Sequence, residues 1–184
     1  MSTCRKNGLV YSIDDYVPLH FNDHYDIEEQ GIVADYVIIM GYDEHYAGSA
    51  EAGSVASLSY VENGLISTVA KVDPSKVINA VPFYTRIWHT SNGTLSSEAV
   101  SMNVAKEYIS NHNIQMTWDS EAGQNYGEFT SVDGTLNQIW MEDAISIGQK
   151  IDSMRAQNIA GIAEWSLSME TPDVWDVIAA YIEE

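Results

Sequence analysis

The 184 residues suffice for one hydrophobic core, or one domain with a small insertion, and are too few for most two-domain enzymes. Hydrophobic residues make up 45% of the sequence and charged residues 19%, which excludes a disordered or low-complexity chain. Because 27 acidic residues oppose 8 basic ones, the formal net charge of -19 repels phosphate backbones and anionic headgroups, and we expect neither a nucleic acid nor a membrane as partner.

The sequence predicts four strands, three of them in the first half of the chain, where they alternate with helices. The strands are predicted from short apolar, β-branched runs at Val10 to Val17, Val37 to Met40, Val77 to Phe83 and Ile159 to Leu167. Between the first three strands, Tyr25 to Ala34 and Ser57 to Ala70 are compatible with crossover helices. The βαβαβ order predicts a parallel sheet.

The stretch 91–140 breaks this alternation. It predicts a helix around Ser97 to Asn111, then strands at Gln115 to Trp118, Tyr126 to Val132 and Leu136 to Trp140, with a tight turn at Asp133-Gly134. We interpret it as a small α+β insertion between the third strand and its helix.

Two helices follow the insertion. The first is predicted from apolar residues at spacings of three and four, Ala144, Ile147, Ile151 and Met154. Lys150 and Arg155 come late enough in it to favour the C-terminal end of the helix dipole. After the fourth strand, Thr171 as N-cap and Pro172 in the first turn predict a closing helix.

Length then favours half of a barrel. Removing about 50 inserted residues leaves about 135, or four βα units at the roughly 31 residues per unit of a (β/α)8 barrel. The predicted fold is therefore α/β, half of a TIM barrel, with 1–90 and 141–184 forming the partial barrel and 91–140 the insertion.

Reactive groups in parallel α/β proteins gather where strands end, so these positions are the first candidates for a site. The second strand leads from Met40 into Tyr42 and Asp43, whose hydroxyl and carboxylate suit a polar ligand; an ordinary polar loop is the alternative. After the third strand, Tyr84 and Arg86 stand among aromatic residues that suit a sugar-binding wall, although Arg86 is equally suited to a structural salt bridge. Trp165 lies in the C-terminal half of the fourth strand, where a core position is the ordinary explanation.

Metals and cofactors are not predicted. His20 and His24 have no HExxH pattern around them, and glycine-rich phosphate motifs are absent from the sequence. The single cysteine, Cys4, offers no disulfide that would identify a compartment, so localisation stays open.

Several segments, in this order, resemble glycoside hydrolase family 18. They are Ala34 to His45, Ile78 to Trp88 and Gly161 to Trp165. Within the family the chain looks most like the bacterial chitinase-like branch associated with spore cortex and peptidoglycan hydrolysis, whose members carry segments similar to Met116 to Tyr126 and Ile139 to Asp143.

The resemblance implies that the four strands are the fifth to eighth of a (β/α)8 barrel. Met40, Tyr42 and Asp43 match the family's Met-x-Tyr-Asp motif, in which the tyrosine and aspartate contact an N-acetyl sugar. Trp165 matches the tryptophan that stacks under that sugar, and Tyr84 and Arg86 fall where side chains commonly line the cleft. The implied ligand is an N-acetylglucosamine-containing polysaccharide, either chitin or peptidoglycan.

The family's general acid belongs to an Asp-x-x-Asp-x-Asp-x-Glu motif, which we expect upstream of Gly8. A near match at 23–30 has Gln30 in the acid position, and an amide cannot donate the required proton. We therefore expect a C-terminal fragment of a family 18 glycosidase that is inactive alone. The alternatives are a homodimeric, carbohydrate-binding or self-associating half-barrel, and a chain completed by strands from elsewhere.

Overall fold

The computed structural model describes residues 2–19, 22 and 24–183. Its helices are α1 Ser2–Lys6, α2 Ile27–Val33, α3 Leu58–Val69, α4 Met102–Asn111, α5 Ala144–Gln157 and α6 Asp173–Ile182, with a 3-10 turn at Pro74–Lys76. Its strands are β1 Ser12–Tyr16, β2 Tyr36–Met40, β3 Val77–Pro82, β4 Tyr84–Ser91, β5 Thr94–Ser101, β6 Met116–Asp119, β7 Gln124–Thr130, β8 Leu136–Met141 and β9 Gly161–Trp165.

The predicted parallel sheet is present. It has four strands in the order β1-β2-β3-β9, and every neighbouring pair is parallel. The helices α2 and α3 lie between its first three strands, as the apolar runs predict. The fold is thus α/β.

The core forms on the face of this sheet that the helices cover. Val37, Ile39, Val77 and Val81 alternate along β2 and β3 and are fully buried with residues of α3, α5 and α6. Each such side chain contributes about 1.5–3 kcal/mol by leaving water. The opposite face carries Tyr16, Met40, Pro82 and Trp165, because strand side chains alternate and Pro82 pairs with Trp165. We call these four residues and their neighbours the open face.

A second sheet lies in sequence between β3 and α5. It has five antiparallel strands in the order β5-β4-β8-β7-β6. The turn predicted at Asp133-Gly134 joins β7 to β8, and Gly134 there has a φ of +85°. The helix predicted from Ser97 begins only after Ser101, which caps it by accepting a bond from the Val104 amide.

Two details of the later helices differ from the prediction. Lys150 does not face the helix dipole at the surface; it is fully buried and bonds to Glu142. Thr171 does not cap α6, because its hydroxyl points to Met102 Sδ, 3.8 Å away, and Pro172 takes the N-cap position.

Candidate functional site

The two sheets meet beside the end of β2. Tyr42 and Asp43 follow that strand, and the Tyr84 hydroxyl, from the first strand of the antiparallel sheet, donates a 2.6 Å hydrogen bond to Asp43 Oδ1. The rings of Tyr42 and Tyr84 meet edge to face at 6.2 Å. Three of the predicted residues are therefore in direct contact, although 41 residues separate Asp43 from Tyr84.

Both tyrosines stay protonated at neutral pH. Burial raises the pKa of Tyr84, and its hydrogen bond to Asp43 raises it further. Burial also raises the pKa of Tyr42, with the negative charge of Asp43 adding to the shift. The site thus offers hydroxyl donors beside a carboxylate acceptor, a combination suited to a ligand rich in hydroxyl and amide groups.

Tyr84 and Arg86 lie elsewhere in the fold than predicted. The sequence predicts them at the end of a parallel strand, but β3 ends at Pro82 and both residues belong to β4 of the antiparallel sheet. The chain bends at Phe83 and pairs with β5 and β8 instead. Arg86 makes no salt bridge among the described residues: its Nη1 donates to Ser97 Oγ at 2.8 Å, and its Nε has no partner there.

Met40 and Trp165 lie on the open face. Met40 is half-buried, whereas Trp165 is 58% exposed. The core interpretation of Trp165 is therefore wrong. The face also presents Tyr16, 56% exposed, which pairs in register with Met40. Sequence reasoning did not select Tyr16, although its position at the end of an apolar strand was a usable signal.

The loop between β2 and α3 is fixed at several points. His45 Nδ1 lies 2.8 Å from the Ser54 carbonyl oxygen, and the buried Trp88 indole donates a 2.8 Å bond to the Gly53 carbonyl. Tyr84 and Trp88 are four residues apart in β4, so their side chains lie on the same face of the antiparallel sheet. Through Asp43 and Gly53, this face contacts the loop near both of its ends.

The near match to the acid motif lies away from these contacts. Asp23 and His20 fall outside the described residues. Asp26 is the N-cap of α2 and accepts a bond from the Glu29 amide, while Gln30 lies within the helix. The described part of this segment is thus a loop that leads into the short helix α2.

Neither a metal site nor a membrane span is found in the described chain. No group of three or more histidine, cysteine, aspartate or glutamate side chains there is placed to hold a metal ion. None of its helices has the length and apolarity that crossing a bilayer requires.

The family model for glycosyl hydrolases family 18 matches residues 7–170. The chain belongs to glycosyl hydrolases family 18. The Bacillus subtilis (strain 168) protein YdhD is 30% identical over 154 residues, 82% of this chain and 36% of YdhD. The cortical fragment-lytic enzyme of Bacillus anthracis is 24% identical over 160 residues, 86% of this chain and 37% of that enzyme.

The family 18 fold also appears among solved structures. The spore cortex-lytic enzyme SleL of Bacillus megaterium QM B1551 superposes with a TM-score of 0.85 at 21% identity, covering 97% of this chain and 42% of SleL. A chitinase of Chromobacterium violaceum ATCC 12472 gives a TM-score of 0.88 at 22% identity, with 100% and 58% covered. The chain is thus similar to Bacillus enzymes named for sporulation or the spore cortex, and it spans well under half the length of the curated relatives named here.

Proposed function

We propose that this chain binds an N-acetylglucosamine-containing glycan at the end of β2, with Tyr42, Asp43 and Tyr84 as hydrogen-bonding groups. Met40 and Trp165 form the apolar side of the site, and Arg86 lines its wall. The observation that carries the proposal is the hydrogen bond from Tyr84 to Asp43, which joins the motif aspartate to a tyrosine whose ring also contacts that of Tyr42. An exposed tryptophan on the adjoining open face supports it, because sugar rings favour aromatic surfaces.

We also propose that the chain forms part of a (β/α)8 barrel. In this proposal β1, β2, β3 and β9 are its fifth to eighth strands, residues 1–90 and 141–184 form the partial barrel, and 91–140 form the insertion. The order of the four parallel strands supports this arrangement, as does the fraction of the longer family members that the chain covers.

Binding is tested by titrating the chain with a chitin tetrasaccharide and, separately, with a peptidoglycan disaccharide in a calorimeter. Trp165→Ala should abolish measurable binding. Trp118→Ala is the matched control, since Trp118 is another exposed tryptophan, on the outer strand β6. Equal affinity of wild type and Trp165→Ala, or no binding of either glycan by the wild type, would overturn the proposal.

We propose further that the 184-residue chain does not cleave this glycan by itself. The segment that comes nearest to the acid motif carries Gln30 in the position of the proton donor. General acid catalysis contributes about 100- to 10,000-fold to rate. Release of a fluorophore from an N-acetylglucosaminide by the purified chain, abolished in Tyr42→Phe, would contradict this statement.

Self-association is the second candidate function. Within the described chain, β1 and β9 each pair on one side only, and Tyr16 and Trp165 expose more than half of their surface on the open face. Open edges and exposed aromatic surface favour pairing with another copy, and β9 of one copy beside β1 of the next would continue a parallel sheet. A dimer is expected by sedimentation at micromolar concentration, and a monomer would refute this candidate.

A further inference from the structure

The residue that follows Asp43 is bonded to the start of a helix. The carboxylate of Glu44 accepts two hydrogen bonds from Ser57, one from its backbone amide at 2.7 Å and one from its hydroxyl at 3.0 Å. Ser57 is the N-cap of α3, and its hydroxyl oxygen also accepts a bond from the Tyr60 amide. The backbone amide of Glu44 donates to the Val55 carbonyl at 2.9 Å. Side chain and backbone of Glu44 therefore both connect the end of β2 to the entrance of α3.

This connection matters because of the backbone at Asp43. Asp43 has a φ of +60°, in the left-handed region that residues other than glycine rarely adopt. Its carboxylate accepts the bond from Tyr84 in that conformation. Bonds on either side of a strained residue are what keep it in place.

A carboxylate is the appropriate group for this role. The first amides of a helix carry no intrahelical partner, and the helix dipole adds partial positive charge at the same end. Glu44 satisfies one such amide directly, at Ser57, and the neighbouring Leu58 amide donates to the Ala122 carbonyl in the turn between β6 and β7. The start of α3 is thus already fixed to the rest of the fold, and it offers Glu44 a rigid support.

We propose that Glu44 is a positioning residue of the sugar site: its two bonds to Ser57 hold Asp43 in the left-handed conformation in which Asp43 meets Tyr84. The inference rests on the proposed function for its ligand, but its geometric part concerns only Asp43 and Tyr84.

Two measurements on the full chain test the proposal. The first is the alkaline titration of Tyr84, measured as the difference in phenolate absorbance between a chain and its Tyr84→Phe counterpart. In Glu44→Ala, Asp43 leaves Tyr84, and the Tyr84 pKa should fall below its wild-type value. The second is calorimetric affinity for the chitin tetrasaccharide, which should weaken about 5- to 30-fold, the factor equivalent to the 1–2 kcal/mol cost of a left-handed residue.

Two further variants make the result specific. Glu44→Gln keeps one good acceptor and should give intermediate values in both measurements; it also replaces Glu44→Ala if that variant does not fold. Glu51→Ala removes one exposed carboxylate from the same loop and should match the wild type. An unchanged Tyr84 titration in both Glu44 variants would overturn the proposal. If the wild type binds no glycan, the proposed function fails, and the titration still decides whether Glu44 positions Asp43.

Discussion

The buried ion pair between Glu142 and Lys150 gives the strongest prediction about stability. Lys150 Nζ lies 2.9 and 3.1 Å from the two carboxylate oxygens of Glu142, and neither side chain is exposed. Ser146 donates a 2.8 Å bond to the same carboxylate, and the Gln124 amide donates another. Residues 142, 146 and 150 thus join the end of β8 to α5.

Breaking this pair from one side leaves a buried charge without its partner. Glu142→Gln and Lys150→Met should each lower the free energy of unfolding by about 3–5 kcal/mol. For a chain of this length, that loss lowers the midpoint of thermal unfolding by roughly 6–20 °C. The double variant should lose much less than the sum of the two single losses, because neither charge is then left alone.

Urea unfolding at neutral pH, followed by tryptophan fluorescence and by circular dichroism, measures these free energies. Coincident transitions from the two probes establish that a two-state treatment applies. Burial raises the pKa of Glu142, and Lys150 opposes that shift. The Lys150→Met loss should therefore shrink as the pH is lowered and the isolated carboxyl takes up a proton. Single losses below about 1 kcal/mol, or a double loss equal to their sum, would refute the reasoning.

Three further predictions follow from the site and the sheet beside it. Tyr84→Phe removes a bond to a carboxylate and should cost about 1.5–3 kcal/mol of unfolding free energy in urea; no change would show that the bond is absent in solution. Trp165→Ala should change that free energy by less than about 0.5 kcal/mol, since the side chain is largely exposed, and a larger loss would show that Trp165 packs. Burial raises the pKa of Glu164, so its protonated form favours folding, and this contribution is lost as the pH rises through the raised value. Glu164→Gln should thus gain stability at neutral pH relative to wild type and flatten the rise of the urea midpoint on acidification, and identical pH profiles would contradict the shift.

The parallel sheet could be predicted from the sequence because its strands are buried on the helix side. Largely apolar runs such as Val77 to Pro82, in which Asn79 is the one polar residue, identify such strands without any knowledge of their partners. The apolar character of this run also explains why the boundary between β3 and β4 was not predicted. The run continues into Tyr84 without a polar break, so the end of β3 and the start of β4 could not be separated by composition.

The antiparallel sheet was harder to predict at its beginning. Asn92 and Gly93 have φ angles of +49° and +75°, the geometry of a tight hairpin turn, and the Asn-Gly pair is a usable sequence signal for one. The residues after it, Thr94–Ser101, show only weak alternation and continue directly into α4. The contact between Asp43 and Tyr84 depends on how the two sheets are placed relative to each other. No local sequence pattern contains that information, so the contact could not be predicted.

The buried ion pair also had a signal that was not used. Glu142, Ser146 and Lys150 follow one another at intervals of four, which places them on one side of a helix and its first turn. Ser146 and Lys150 directly precede the apolar Ile147 and Ile151, and polar residues at such positions indicate a buried network when their charges are complementary. Composition alone could not show that no water reaches them.

The entry and exit of the antiparallel sheet lie side by side, since β4 and β8 are neighbours and Thr85 bonds to the Trp140 carbonyl. Tyr84 stands at this entry, directly after the parallel strand that precedes it, whereas the hairpin turns at Asn92-Gly93 and Asp133-Gly134 lie at the other ends of their strands. Residues added to or removed from either turn therefore leave both junctions in place. The part of the sheet that contacts Asp43 therefore keeps its position when the length of either hairpin turn changes. Loops of new size or chemistry can be grafted onto these two turns without displacing it.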